Sequence, residues 1–212
     1  MKKIKLLLLF SSLIILYACP MAGSRYYRPI DNEATYFNQS KRCILPNDFR
    51  SSPSLVDKKT LVNWTGIIKN ISTSEENDSI DLKILVEHKY WDFIEDFSIQ
   101  DEKIFLSENG EGDFYFYSKY PKDLRSKVDS LSNNYKVNDF IICYGFLKSN
   151  DIKIPELEAQ FSRIIPSKFY STKIMKYDAK KNENGRTVCN EKNSYELVNF
   201  KSLKIPAIGQ NK

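Results

Sequence analysis

The chain has 212 residues, enough for one domain of ordinary size with a tail at either end. Lys2, Lys3 and Lys5 account for three of its 32 basic side chains, which leaves 29 against 27 acidic ones, close to balance. Lysine alternates with Glu and Asp along most segments instead of forming the basic stripe of a nucleic-acid binder, so nucleic acid is excluded as an expected partner.

In chain order, the first element is an export signal. Three lysines precede the apolar run from Leu6 to Leu16, which is closed by Tyr17 and Ala18. This eleven-residue stretch, interrupted by Ser11 and Ser12, is too short to cross a bilayer. Leu16-Tyr17-Ala18-Cys19 resembles the lipobox of bacterial lipoproteins. That resemblance implies cleavage before Cys19, lipid on its thiol and attachment to a membrane through the lipid. Pro20, standing where Asp signals inner-membrane retention, implies the outer membrane of the cell envelope. Residues 1–18 are thus expected as signal peptide and 19–59 as lipidated N-terminus and tether. Pro29, Pro46 and Pro53 interrupt the latter. Such a tether, if flexible, holds a domain roughly 35 Å from the lipid. Tyr26, Tyr27, Tyr36 and Phe37 suggest that part of it packs back, because exposed rings are costly.

Residues 60–166 carry the expected domain. Leu61 to Ile71 reads as a strand, with Gly66 marking a bulge or bend. The polar run from Ser72 to Ser79 supplies a turn. The second strand puts Ile80, Leu82, Ile84, Val86, His88 and Tyr90 on one face, with Asp81, Lys83, Glu87 and Lys89 on the other. Lys103 to Leu106 and Asp113 to Ser118 read as one third strand interrupted at Gly110-Glu111-Gly112. Leu124, Val128, Leu131 and Tyr135 recur at helical spacing after Pro121, and the helix should end near Asn133-Asn134. Phe140 to Leu147 and Leu157 to Ile165 give the last two strands. The order β-β-β-α-β-β predicts a mainly β fold, a small five-stranded OB-like barrel with one short helix. The alternative is an open sandwich with an added helix. Residues 167–212 read as a partly packed C-terminal extension.

A lipobox, a linker, then Trp64-Thr65-Gly66-Ile67-Ile68, Leu82 to Val86 and Asp139 to Gly145 together resemble the starvation-inducible outer-membrane lipoproteins called Slp. The resemblance covers residues 1–165 and implies location and shape, with no chemistry. The Lys- and Asn-rich C-terminus departs from it.

Three thiols remain beside Cys19, and none has Cys-x-x-Cys spacing, so no metal or cofactor is expected. Cys143 lies in an apolar run as a buried free thiol. Cys43 with Cys189 is the preferred disulfide in an oxidising compartment, the other two pairings staying open. His88, the sole histidine, lies on the apolar parity and reads first as a satisfied inward residue; with Tyr90, Trp91 and Asp92 it also begins a polar-aromatic corner that is a candidate small-ligand site. Tyr115 and Tyr117 form a candidate stacking platform, or cross-strand pairs that stabilise the sheet. No catalytic signature is found. The expected function is a non-catalytic binding or structural module facing an envelope protein or glycan. An oligosaccharide binder is the alternative, and a hydrolase built on His88 and nearby acids a more remote one.

Overall fold

The computed structural model describes residues 27, 29–51, 57–96, 101–107, 109–148, 153–171, 182–184, 189–190 and 194–195. Two helices come first, α1 (Asp31–Gln39) and α2 (Pro46–Ser51). Then follow β1 (Leu61–Glu76), β2 (Ser79–His88), β3 (Trp91–Asp96), β4 (Asp101–Leu106) and β5 (Asp113–Pro121). A 3-10 turn over Lys122–Leu124 leads into α3 (Arg125–Asn134), which is followed by β6 (Phe140–Leu147) and β7 (Glu156–Ile165). A second 3-10 turn over Ser167–Phe169 and three two-residue strands, β8 (Tyr170–Ser171), β9 (Cys189–Asn190) and β10 (Ser194–Tyr195), complete the described elements.

Strands β1, β2, β5, β7 and β6 form a closed barrel in that order, with β6 returning to β1. All neighbours are antiparallel except β5 and β7, which run parallel over Tyr115–Tyr117 and Glu156–Glu158. With α3 between the third and fourth barrel strands, this is the expected OB-like barrel, and the open sandwich is excluded. Alternation sets the inside. Trp64, Ile68, Ile84, Val86, Phe114, Phe116, Ile141 and Leu157 meet in one core, where Trp64 packs edge-on against Phe114 at 5.1 Å. Burying each such side chain contributes about 1.5–3 kcal/mol. Helix α2 adds Phe49 to the same core, and α3 lays Val128 against Ile80 and Leu82.

Four features differ from the sequence reading. Ile104 and Leu106 do not continue into the third barrel strand. They belong to a separate hairpin, β3 against β4, inserted after β2, and β4 also pairs in parallel with β8. Periodicity specifies which face a strand buries but not its partner, so a two-strand insertion reads like one broken strand. The irregularity in β1 lies between Ile68 and Asn70, not at Gly66. Gly66 serves close approach instead, since a Cβ there would stand 2.1 Å from the Glu87 carbonyl oxygen. The arm of β1 and β2 runs on through the polar residues to Glu76 and turns at Asn77-Asp78, with Asn77 at φ 49°.

The expected tether is the fourth difference, because residues 31–51 carry two helices. Nine residues make a marginal helix on their own, so α1 depends on contact. Tyr27, Tyr36 and Phe37 pack on a second cluster formed by Leu61, Trp91, Ile104, Phe140 and Tyr144. Lys41 bridges to β1 through Lys41 N–H to the Leu61 carbonyl (2.8 Å) and Asn63 N–H to the Lys41 carbonyl (3.2 Å). The Trp64 indole donates to the Ile44 carbonyl at 2.7 Å. Local proline breaks were visible in the sequence; the long-range partners that override them were not.

Gly66→Ala is expected to push β1 away from β2 at the Glu87 carbonyl, costing about 3 kcal/mol of stability. Urea denaturation checks this, and a loss below about 1 kcal/mol would show that the two strands are not so tightly apposed.

Candidate functional site

On the third barrel strand, β5, Phe114 and Phe116 point inward, so Tyr115 and Tyr117 lie on the outer face. Register sets their neighbours. Lys83 and Leu85 of β2 stand opposite Tyr117 and Tyr115, while Glu156 and Glu158 of β7 flank the other side. The Lys148 ammonium sits 3.0 Å from the centre of the Tyr117 ring, and the Lys83 ammonium lies 5.6 Å from that ring and 5.9 Å from Tyr115. Both lysines approach Glu156, at 3.5 and 4.0 Å. The Tyr117 hydroxyl donates to Asp81 Oδ1 at 2.9 Å, and the residue is only 4% exposed. Tyr117 is therefore built into the sheet as a cross-strand partner, whereas Tyr115 is half-buried. What this face offers is two ammonium groups over aromatic rings, fixed by one carboxylate between them.

The His88 corner is organised differently. His88 is fully buried at the end of β2, edge-on to Tyr90 with ring centres 5.1 Å apart. Its Nδ1 accepts from the Glu111 N–H at 3.1 Å, so the proton of the neutral ring sits on Nε2. The Tyr90 hydroxyl donates to the Glu111 carboxylate, the Tyr90 N–H to Ser107 Oγ, and Thr65 Oγ1 to the Lys89 carbonyl. Gly110 is required here, because a Cβ would meet the His88 carbonyl oxygen at 1.6 Å. Trp91 packs edge-on against Tyr27 at 4.8 Å and near Phe140 at 5.8 Å. Asp92 lies in β3 opposite Phe105. His88, Tyr90 and Trp91 thus come together as a joint between the barrel and the inserted hairpin. Among the described residues no three His, Cys, Asp or Glu side chains gather around a metal position.

Several residues escaped the sequence reading. Arg50 of α2 donates to the carbonyls of Glu111, Asp113 and Lys153, tying the glycine turn to the loop before β7. Glu33 of α1 is fully buried, accepting from the Tyr144 hydroxyl at 2.6 Å, the Tyr27 hydroxyl at 2.8 and 2.7 Å and Arg163 at 3.4 Å. Its place as the third residue of a helix opening at Ile30 was the only available signal, and its Oε2 accepts from the Ile30 N–H at 3.3 Å. Cys43 and Cys189, by contrast, are joined in the disulfide preferred from the sequence. Cys143 is free and buried, which pushes its thiol pKa well up. Cys19 lies outside the described residues, and none of the described helices is long and apolar enough to cross a membrane.

The chain matches no family model and no curated protein. It is similar to solved structures of three small proteins. The PriB protein of Ralstonia solanacearum is 8% identical, covering 49% of this chain and 95% of its own, with a TM-score of 0.32. The second single-stranded DNA-binding protein of Mycobacterium smegmatis is 16% identical over 50% of this chain and 87% of its own, at 0.31. A small single-stranded DNA-binding protein of Streptomyces coelicolor is 13% identical over 49% and 90%, at 0.29. Beside neighbours that include single-stranded DNA-binding proteins, the exclusion of nucleic acid as a partner is withdrawn. Its flaw is physical: balanced net charge describes the whole chain, while a binding face needs only a local cluster such as Lys83 and Lys148.

Burial, followed by the adjoining carboxylates, pushes the hydroxyl pKa of Tyr117 beside Asp81, and of Tyr27 and Tyr144 beside Glu33, well above the ordinary value. Raised folded values give stability that is fully present below the unfolded pKa of about 10 and is lost as pH rises beyond it. In an ultraviolet alkaline titration these three of the 13 tyrosines should ionise only in a steep step that coincides with unfolding. Gradual ionisation of all 13 with the fold retained would contradict the assignment.

Proposed function

We propose that this chain is a lipid-anchored protein of the bacterial envelope, attached through Cys19, whose OB-like barrel is a binding module without catalysis. Two observations support the location. The leader ends in a lipobox-like Leu16-Tyr17-Ala18-Cys19, and the Cys43–Cys189 disulfide suits an oxidising compartment. The outer membrane and the likeness to Slp lipoproteins rest on the sequence phrases and on Pro20. Cys19→Ser is expected to abolish labelling by a palmitate analogue and to move the protein into the soluble fraction. Unchanged labelling would place the lipid elsewhere.

The observation that carries the binding reading is the pair of ammonium groups, Lys83 and Lys148, held above tyrosine rings on the outer face of β2, β5 and β7. OB barrels commonly receive extended polymers across their second and third strands, which here are β2 and β5. The chemistry fits an oligosaccharide bearing anionic groups: the lysines meet the charge, and the half-buried Tyr115 offers a ring edge to a sugar. A phosphodiester strand offers anions too, with bases that stack on rings. The absence of catalysis is supported by the burial of His88, whose Nδ1 is committed to a backbone amide.

Isothermal titration with an acidic oligosaccharide and, in parallel, oligo-dT separates the two ligands. The double variant Lys83→Ala, Lys148→Ala should weaken binding of the true ligand about tenfold or more, since each lost charged contact is worth about 0.5–1 kcal/mol or above. Retained affinity, with a folded protein by circular dichroism, would remove this face from the site.

A further inference from the structure

The segment that follows the anchor is held on the barrel by an unusual contact. Within α1 the sole fully buried side chain is a carboxylate, Glu33, while Ala34, Tyr36 and Phe37 are half-buried. Glu33 receives hydroxyls from two directions: Tyr144 lies on barrel strand β6, and Tyr27 lies on the anchor side of the helix. Arg163 of β7 completes the cluster, donating to Glu33 and to the Tyr27 hydroxyl, with its guanidinium 5.3 Å from the Tyr27 ring centre. The remaining hold is aromatic, with Tyr36 stacked on Phe161 at 5.1 Å and Tyr27 against Trp91. A second and separate fixing point lies just beyond the helix. Lys41 is bridged to β1, and Cys43 is bonded to Cys189.

We propose that Glu33 is the pin of a latch that fastens the anchor-proximal segment to the barrel and so sets how far the barrel can stand from the bilayer. The proposal rests on Cys19 being the lipid anchor. With the latch closed, only residues 20–26 separate the anchored cysteine from the first fixed ring, Tyr27. Their fully extended length is roughly 25 Å. With the latch open, the segment is released as far as Lys41, where the bridge to β1 and the disulfide stop it. The ceiling then rises to roughly 70 Å. Removing Glu33 leaves Arg163 and two buried hydroxyls without their common acceptor, so the loss falls on this contact and spares the barrel core, which α1 does not enter.

The full acylated chain, reconstituted in phosphatidylcholine vesicles carrying an acceptor dye, tests the proposal. A donor is placed at the exposed Lys119 through Lys119→Cys. Glu33→Ala should lower energy transfer to the bilayer about twofold, as the ceiling on separation grows, and should speed chymotrypsin cleavage after Tyr36 and Phe37 at least tenfold while residues 61–165 stay intact. Should Glu33→Ala fail to fold, Tyr27→Ala carries the same test from the outer end of the cluster. Unchanged transfer and cleavage in a folded variant would overturn the latch. Mass spectrometry of the same sample reports acylation of Cys19. Missing acyl groups would sink the anchor alone, because the cleavage readout does not depend on lipid.

Discussion

Closure of the barrel hangs on the parallel meeting of β5 and β7, in which three residues, Tyr115 to Tyr117, face Glu156 to Glu158. It is the shortest pairing in the ring. Without it the sheet has two open edges, a form prone to edge-to-edge association. The seam is reinforced from outside. The Tyr115 N–H donates to the Pro155 carbonyl, Lys148 N–H to the Glu156 carbonyl, and Arg50 draws the turn at Glu111 toward the loop at Lys153. The same seam places Lys83 and Lys148 on either side of Glu156. Structure and candidate site therefore share one set of contacts.

The interior of this fold could be read from the sequence because period-two alternation is a local signal. Ile80 to Val86, Phe114 and Phe116 lie where alternation places them, and the stripe through Val128 makes the expected helix. Partnership is a different matter. The β3–β4 hairpin and the helices α1 and α2 are stabilised by residues far away in the chain, so windows containing Pro29 or Gly110 gave no warning of them. The site divides along the same line. Tyr115 and Tyr117 were identifiable by parity, whereas Lys83, Lys148 and Asp81 acquire their roles only when registers align β2, β5 and β7. His88 shows the limit in reverse: a lone polar residue on the apolar face attracts attention, and it proves to be a joint whose Nδ1 accepts from the Glu111 amide.

Polar burial gives the N-terminal third its character. An apolar helix stripe would fuse α1 to the core, but a carboxylate pinned by two hydroxyls and a guanidinium makes a contact that depends on every member being present. The barrel is thus stabilised by apolar area, and the strap it carries by aromatic packing pinned at a hydrogen-bonded charge cluster. Under the proposed lipid anchoring, the charge cluster would set geometry at the membrane while the apolar core keeps the barrel intact.

Hydrogen exchange at the Tyr115 amide tests the closed barrel most directly. If β5 and β7 are zipped as described, that amide exchanges only with global unfolding, as slowly as the Ile68 amide that donates to Asp139 between β1 and β6. Rapid exchange at Tyr115 while Ile68 stays protected would mean an open sheet, and the shared seam beneath the lysine face would not exist.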